Sequence, residues 1–310
     1  MLHYFLVLSS LVATIFAENA KDFDGMRLEF VQTLWRHGDR AALDELYPIF
    51  ESNWTFGGGG LGELTPLGMS QMNDLGTMFR RIYVEEQQFL SHRYVGKEIY
   101  IRSTNVNRTI ISAMSLLYGL FPPGAWNIQV NSSTVDGIDI AHETQVIQSG
   151  ALLNELFDRA QEKANCIKAG RNCTGFLKPL KFYGYSSHDL VIYALLVSLG
   201  VPDVVRTLDG WPDTGAALTL EMYSNPDDQF FVKFLYRDNS LEEFGDVTAR
   251  VCNRAAWCRL EDFERVARRV KPLPDLVTLC ATPLSGSSSG SLLSYWISFF
   301  NLFLFLILVF

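Results

Sequence analysis

Apolar segments of strand length alternate with helical segments along this chain, and that order constrains its fold more than any other feature. The predicted strands are 28–36, 98–103, 127–131, 181–187, 216–223 and 230–237. The predicted helices are 66–90, 106–119, 144–164, 189–199 and 260–270. Such alternation is typical of an α/β fold, with a mostly parallel central sheet and helices on both faces. The last two strands, joined by the turn-forming SNPDDQ, indicate an antiparallel hairpin on that sheet.

Both ends of the 310-residue chain differ in composition from the predicted domain, which we place at residues 18–284. Residues 1–17 are uncharged, mostly apolar and end in alanine, which predicts a secretory signal peptide; a buried N-terminal helix is the alternative. Residues 292–310 are 19 residues without charge, long enough to span a bilayer. A Ser/Gly linker at 285–291 precedes them, so they indicate either a transmembrane helix or a lipid-anchor signal.

Cysteine and asparagine positions also favour the secretory pathway, with an extracellular, cell-surface or lysosomal location. Four of the five cysteines lie in close pairs that can close two short disulfide loops, which leaves Cys280 over. These pairs are Cys166 with Cys173 and Cys252 with Cys258. Glycosylation sequons begin at Asn53, Asn107, Asn131 and Asn172. We therefore predict a disulfide-bonded glycoprotein, held at a membrane through its C-terminal segment.

The net charge of −8 and the pI near 5.2 exclude a general nucleic-acid-binding surface. An acidic protein that binds an anion has to concentrate positive charge locally. The chain has five histidines, and three of them (His3, His92 and His142) are isolated from other metal-ligating residues. The sequence therefore predicts neither a metal ion nor another cofactor.

Charged motifs follow three of the predicted strands. The first strand runs into RHGDR at 36–40, the second into RSTNVNR at 102–108, and a later one into SHD at 187–189. Because ligands bind outside the carboxyl ends of parallel strands, we expect these motifs to meet at one edge of the sheet. For Arg102 and Arg108 alone, a salt-bridged helix start is the simpler interpretation, and Asp39 alone is most simply a solvated turn residue.

Several arginines around a histidine are typical of phosphate chemistry. Guanidinium groups are permanently charged and form paired hydrogen bonds with phosphate oxygens. A neutral imidazole such as that of His37 can attack phosphorus and form a phosphohistidine. Asp189, expected in a partly apolar pocket, can give the leaving oxygen its proton, and His188 can donate to the phosphate.

These motifs, taken in order, resemble the histidine acid phosphatases, the acid-phosphatase branch of the histidine phosphatase superfamily. The segments that carry the resemblance are RHGDR (36–40), GELTPLGMSQ (62–71), YIRSTNVNRTIISAM (100–114), LFPPG (120–124), ALLNEL (151–156), YSSHD (185–189) and VKFLYRD (232–238). The resemblance implies a three-layer α/β core like that of phosphoglycerate mutase, with a helical cap inserted in it. It also implies site residues: His37 as the nucleophile, Asp189 as the proton donor, and, as phosphate ligands, Arg36, Arg40, Arg102 and His188.

The chain departs from the family pattern in three small ways and one large one. Ala42 stands where the family has proline, Asn105 where it has an acid, and Leu190 where it commonly has a hydroxyl. Only 20 residues separate Asn131 from Leu152, where the family inserts its helical cap. We therefore predict a cap truncated near 131–150, with Cys280 unpaired because its partner lies in the missing segment.

The predicted function is hydrolysis of phosphomonoesters, on small molecules or phosphoproteins, through a phosphohistidine on His37. Two alternatives remain open. One is a phytase-like enzyme for inositol phosphates, and the other is a catalytically weak or silent surface protein that binds phosphorylated ligands. A cytosolic mutase would use similar residues, but the predicted signal peptide argues against it.

Overall fold

The computed structural model describes residues 25–45, 59–122, 131–132 and 149–273. The described residues up to Lys271 belong to one compact unit. The predicted signal peptide, linker and C-terminal apolar segment lie outside the described residues, as do Asn53 and Cys280. None of the helices in the described part combines the length and apolar character needed to cross a bilayer.

An eight-stranded sheet forms the centre of the fold, and five of the six predicted strands match it closely. The sixth, 127–131, meets a short strand only at Asn131, and residues 127–130 lie outside the described residues. The strands of the sheet are β1 (Arg27–Arg36), β2 (Ile99–Ser103), β3 (Asn131–Ser132), β4 (Phe182–Ser187), β5 (Ala217–Ser224), β6 (Phe230–Arg237), β7 (Gly245–Asp246) and β8 (Cys258–Arg259). The spatial order is β3-β2-β4-β1-β5-β6-β7, with β8 also paired to β6.

The sheet is parallel on one side of β1 and antiparallel on the other. Strands β3, β2, β4 and β1 run parallel, whereas β5 pairs antiparallel with β1 and with β6. The α/β class and the β5–β6 hairpin are thus confirmed. Two short strands that alternation does not reveal, β7 and β8, extend the antiparallel side.

Helices cover both faces of this sheet, as predicted. They are α1 (Pro66–Phe79), α2 (Asn107–Leu120), α3 (Ala151–Ala169), α4 (Asp189–Ser198), α5 (Thr248–Val251) and α6 (Leu260–Arg268). Successive residues of β1 face opposite sides, so Leu34 packs among residues of α3, α4 and α6. Trp35 packs on the other face, among residues of α1 and α2. Each face has its own buried apolar core.

Helix α1 begins as its sequence predicts and ends earlier. Thr65 is its N-cap, since the hydroxyl accepts a hydrogen bond from the Gly68 amide at 3.1 Å, and Pro66 takes the first helical position. After Phe79 the chain continues as a π-helical turn over Arg80–Glu86 rather than as α-helix to residue 90.

Two glycines let α1 and α2 approach closely on their shared face. A Cβ at Gly76 would lie 1.9 Å from the Leu116 carbonyl oxygen, and one at Gly119 would lie 2.0 Å from that of Asn73. Any larger residue would push the helices apart. This contact fixes how the N-termini of the two helices, one at Pro66 and one at Asn107, are placed relative to each other.

Both predicted disulfides are present. Cys166–Cys173 closes the end of α3 onto the next loop, and Cys252–Cys258 links the end of α5 to β8. Asn172 is exposed inside the first loop, so its predicted glycosylation is sterically open. Glycosylation itself stays a prediction.

A buried carboxyl group lies in the antiparallel half of the sheet. Glu221 on β5 is 4% exposed and accepts hydrogen bonds from the hydroxyls of Tyr83 at 2.7 Å and Tyr223 at 2.8 Å. Burial raises the pKa of Glu221, and the two hydrogen bonds oppose this effect without cancelling it. The folded protein therefore retains a proton there that the unfolded chain releases, so this group lowers stability as pH rises.

We predict that Glu221→Gln makes the protein more stable than wild type at pH 7.5 and leaves stability nearly unchanged at pH 4. Glutamine keeps the shape but removes the buried charge. Urea unfolding at both pH values measures the difference. Glu98→Gln is the matched control: burial raises the pKa of Glu98, but its bonds to Lys181 and Ser91 outweigh burial and lower it. That exchange should destabilise at pH 7.5 instead; the same sign for both variants would contradict the assignment.

Candidate active site

The three charged motifs meet at one edge of the sheet, as predicted. Arg36 pairs in register with Ser187, and Ser103 with Ser186, so β1, β2 and β4 end at the same level. Beyond the strands, the His37 amide donates to the Ser187 carbonyl at 3.1 Å. The motifs of residues 36–40, 102–108 and 187–189 therefore surround a common space.

His37 is held with one ring nitrogen fixed. The ring is 3% exposed, and Nδ1 lies 2.8 Å from the Gly38 carbonyl oxygen. A carbonyl oxygen can only accept, so Nδ1 carries the proton, and the neutral ring has its lone pair on Nε2. Burial, aided by the charges of Arg36 and Arg108, lowers the pKa of His37 to about 3 despite the opposing bond to Gly38. The imidazole is thus neutral even in acid solution.

Gly38 and Gly68 allow the turn after β1 to touch the start of α1. A Cβ at Gly38 would lie 2.2 Å from the Gly68 carbonyl oxygen, and a Cβ at Gly68 would lie 2.1 Å from that of Asp39. Neither position can hold a larger residue without separating the two segments. The Gly38 amide also donates to the Ser112 hydroxyl of α2 at 3.2 Å. The turn that carries His37 is therefore fixed by both helices.

Asp39 is not the solvated turn residue that its sequence position suggests. It is partly buried, and its Oδ2 accepts a hydrogen bond from the hydroxyl of Thr65, the N-cap of α1, at 2.6 Å. Its amide donates to Gln71 Oε1 at 2.7 Å. Asp39 thus ties the RHGDR motif to α1 and does not face the site as a free acid.

His188 is oriented by a chain of two threonine hydroxyls. Its Nε2 lies 3.1 Å from Thr104 Oγ1, which lies 2.8 Å from Thr109 Oγ1. The Thr109 hydroxyl donates to the Val106 carbonyl, so it accepts from Thr104, and Thr104 accepts from His188. This assigns the proton of the neutral ring to Nε2 and leaves the lone pair on Nδ1. Burial first, then the Arg108 charge, lowers the pKa of His188. The two imidazole rings lie 5.5 Å apart.

Asp189 opens α4 and lies beside Arg36. Its Oδ2 is 3.0 Å from Arg36 Nη2, and its Oδ1 accepts from the Leu190 amide at 2.7 Å. The side chain is 34% exposed. The sequence predicted a partly apolar pocket, whereas the structure pairs this carboxyl group with an arginine. Leu190 beside it supplies an exposed apolar surface.

Three arginines supply the positive charge next to these groups. Arg36 donates from Nη1 to the Pro212 carbonyl at 2.8 Å, and its buried Nε has no partner among the described residues. Arg40 donates to the Ala41 carbonyl at 2.9 Å. Arg108 reaches the Gly62 carbonyl at 3.5 Å, and its Nε is also buried, with no hydrogen-bond partner in the described part of the chain. Such unused guanidinium donors suit an anionic ligand.

The sequence predicted Arg102, and not Arg108, as the third arginine that binds phosphate. Predicted as a phosphate ligand, Arg102 lies 3.2 Å from Glu155 of α3, on the sheet face opposite Ser103. Glu155 also pairs with Arg159 at 2.6 Å. In contrast, the Arg108 charge acts on His37 and on His188. The sequence feature that could have pointed to Arg108 is its position, because it is the second residue of α2, at the end of the helix that meets the site.

Nothing in the described ranges suggests a resident metal: no three His, Cys, Asp or Glu side chains group there in a way that could hold an ion. The site is instead a buried neutral histidine among guanidinium groups, with a carboxyl group at its rim. This arrangement of guanidinium groups around an imidazole is typical of a class of proteins, those that bind phosphoryl groups.

Comparison with known proteins identifies the family within that class. The profile of the histidine phosphatase superfamily (branch 2) matches residues 27–139 and 130–237. The chain therefore belongs to the histidine acid phosphatase family, and the protein is an enzyme. It is 45% identical over 397 residues to "Putative acid phosphatase F26C11.1" of Caenorhabditis elegans, covering 86% of this chain and 91% of that protein.

Two further comparisons agree. Human prostatic acid phosphatase is 45% identical over 105 residues, which cover 32% of this chain and 26% of that protein. The structure of Hafnia alvei phytase with myo-inositol hexakis sulphate superimposes with a TM-score of 0.57, covering 84% of this chain and 99% of that one. Sequence identity there is 16%, so this likeness concerns the fold alone.

The alignment with the C. elegans relative also measures a difference in length. It runs over 397 positions, while 86% of 310 residues is about 267, so about 130 positions of the relative have no counterpart in this chain.

We predict that His37→Asn reduces the loss of stability on acidification. The unfolded chain binds a proton near pH 6.5, and folded His37 does so only near pH 3, so wild-type stability falls as pH drops through this interval. Between pH 7.5 and 5 this group accounts for about 2 kcal/mol, at 1.36 kcal/mol per pH unit. Urea unfolding without phosphate at both pH values measures the loss in each protein. Equal losses in the two proteins would contradict the lowered pKa.

Proposed function

We propose that this protein hydrolyses phosphate monoesters through a covalent phosphohistidine on Nε2 of His37. The observation that carries the proposal is the 2.8 Å contact of His37 Nδ1 with the Gly38 carbonyl, because it fixes the proton on Nδ1. The low pKa keeps Nε2 unprotonated in acid, where most histidines lose their lone pair. The nucleophile is thereby matched to acid phosphatase activity.

The phosphoryl group would bind among Arg36, Arg40 and Arg108. Their guanidinium donors fit phosphate oxygens and stabilise the charge that develops during transfer. His188 adds a donor from Nδ1 when its ring is protonated. In this proposal Arg108 takes the role that the family resemblance gave to Arg102, because Arg102 is paired with Glu155.

The reaction would proceed in two displacements. Nε2 attacks phosphorus opposite the leaving oxygen, the P–O bond breaks, and the oxygen takes a proton from the carboxylic acid form of Asp189, whose ion pair with Arg36 gives way when Arg36 binds the phosphate. Water then attacks the phosphohistidine, the Asp189 carboxylate takes a proton from that water, and the N–P bond breaks. Inorganic phosphate leaves, and both residues return to their starting states. Nδ1 keeps its proton throughout, held by the Gly38 carbonyl.

The leaving-group side of the site is proposed to be open. The family cap would lie in the segment near 131–150, which has 20 residues between Asn131 and Leu152 in this chain. The 130 unmatched positions of the C. elegans relative support this truncation. The two disulfides support folding in the secretory pathway, where the apolar segment 292–310 would attach the protein to a membrane.

The catalytically silent phospho-ligand-binding protein is the second candidate, favoured by the truncated cap. A phytase-like enzyme rests on fold likeness at 16% identity, which carries no information on substrate. Trapping the covalent intermediate separates the enzyme from the binder. The purified protein, mixed with 32P-labelled substrate at pH 5 and quenched in alkali, should retain label that is base-stable and acid-labile. If wild type binds phosphate but neither hydrolyses the substrate nor retains label, the proposed phosphatase activity is refuted. Label retained by His37→Ala would refute the proposed phosphohistidine on His37.

A pair of arginine exchanges tests the assignment of the phosphate ligands. We predict that Arg108→Ala lowers kcat/KM for p-nitrophenyl phosphate by about 10- to 100-fold, the value of one or two charge-assisted hydrogen bonds. Arg102→Ala is the matched control on the same motif, and we expect less than a fivefold change, since about one exposed ion pair is lost. A larger loss for Arg102→Ala than for Arg108→Ala would restore the original assignment.

A third exchange tests the proton donor. We predict that Asp189→Asn lowers kcat for ethyl phosphate by about 10² to 10⁴, because a poor leaving group needs its proton in the transition state. The loss for p-nitrophenyl phosphate should be much smaller, since nitrophenolate leaves without help. Steady-state kinetics with both esters measures the ratio, and equal losses would exclude the acid role.

A further inference from the structure

We propose that Tyr193 and Trp211 form an aromatic wall for the leaving group, so that the enzyme prefers phosphate monoesters whose alcohol carries a benzene ring. The inference rests on the proposed function, since it assigns the leaving-group side of the same site. It adds a substrate class and two specificity residues to it.

The two rings contact each other on the surface next to the site. Their centroids lie 5.1 Å apart with the planes tilted by 51°. Trp211 remains 42% exposed, so one indole face stays available to a ligand. Tyr193 is partly buried beneath it. A tryptophan exposed to this extent beside a polar catalytic site is a suitable surface for a flat apolar group.

The wall is connected directly to the residues that hold the phosphate and supply the proton. Trp211 precedes Pro212, whose carbonyl accepts the 2.8 Å hydrogen bond from Arg36 Nη1. Tyr193 lies four residues after Asp189 on α4, so both side chains share one face of that helix. Arg36 also contacts Asp189 at 3.0 Å. These links place the wall on the Asp189 side of the phosphate site.

The loop that carries Trp211 is held in place by its own hydrogen bonds. The Thr207 hydroxyl donates to the Trp211 carbonyl at 2.6 Å, and the Trp211 amide donates to Asp209 Oδ1 at 3.2 Å. The Asp213 amide donates to the Asp238 carbonyl at 3.2 Å. The backbone that carries the indole is therefore held in place and does not need to be ordered by the ligand.

The chemistry of this rim selects an apolar ring rather than a charged leaving group. The leaving oxygen has to approach the Asp189 carboxyl group to be protonated, so the carbon bonded to it lies at the start of α4. Leu190 is 42% exposed there, and its side chain neighbours Tyr193 at a spacing of three residues. A ring attached to that carbon would contact leucine, tyrosine and indole while the phosphate stays with the arginines.

Such a ring can come from a small aryl or benzyl ester or from a phosphotyrosine in a protein. The recognition chemistry is the same for both, and substrates of two sizes distinguish them. Benzyl phosphate and ethyl phosphate form the first pair, since both release primary alcohols of similar basicity and differ in the ring. Phosphotyrosyl and phosphoseryl peptides of otherwise identical sequence form the second pair.

We expect the wild-type protein at pH 5 to hydrolyse benzyl phosphate with a kcat/KM about tenfold above that for ethyl phosphate, the value of one aromatic contact. Trp211→Leu and Tyr193→Leu should each remove most of this preference by lowering kcat/KM for benzyl phosphate, with ethyl phosphate changed less than twofold. Trp257→Leu is the matched control, because Trp257 contacts Tyr223 at a comparable 5.0 Å in another part of the fold. It should leave the preference intact.

The proposed function and the aromatic wall are overturned by different results. If wild type hydrolyses neither ester and forms no phosphohistidine, the proposed function falls and the aromatic wall falls with it. If wild type hydrolyses both with equal efficiency, or if both wall variants lose both activities equally while remaining folded by thermal unfolding, only the wall is overturned. The ring preference of wild type is measured without any variant, so misfolding of one variant leaves the inference testable. A preference present with benzyl phosphate and absent with the peptides would assign the wall to small molecules.

Discussion

The contact between Gly38 and Gly68 is the constraint on which the catalytic arrangement depends. Two backbone segments approach there to a distance that leaves no room for a Cβ atom. Because they do, Asp39 can bond to Thr65 and fix the start of α1 to the turn after β1. The same turn presents the Gly38 carbonyl to His37, which decides the ring nitrogen that carries a proton. A backbone contact thus determines the chemical state of a side chain.

Electrostatics and burial then act together on that side chain. Bringing three arginines near one histidine would be costly if the imidazole were also charged, and burial makes the charged form still less favourable. The ring is consequently neutral, and the positive potential remains available for an anion. Arg36 contributes to this positive potential and also links two parts of the site, since it contacts Asp189 on one side and the carbonyl of Pro212 on the other.

Periodicity and strand-end motifs predicted the fold well, because β1, β2 and β4 are apolar strands that are each followed by a helix, and β5 and β6 are joined by a recognisable turn. That the strand-end motifs meet at one edge of the sheet was predicted for the same reason: parallel strands bring their carboxyl ends together. Other features of the candidate site depend on contacts that no pattern encodes. Choosing between Arg102 and Arg108 required knowing that α3 places Glu155 over β2. The contact of Asp39 could be predicted only by knowing where Thr65 lies. Trp211 could not be placed at the site because it stands in a loop whose sequence has no periodicity.

Glu221 and His37 lie in different parts of the fold, and their proton equilibria are displaced in opposite directions. Burial raises the pKa of the carboxyl group and lowers that of the imidazole. The Glu221 carboxyl group favours the folded state in acid, and the His37 imidazole favours it near neutrality. Their contributions to the pH dependence of stability therefore have opposite signs. The buried carboxyl group thus offsets part of the stability that the buried imidazole costs in acid.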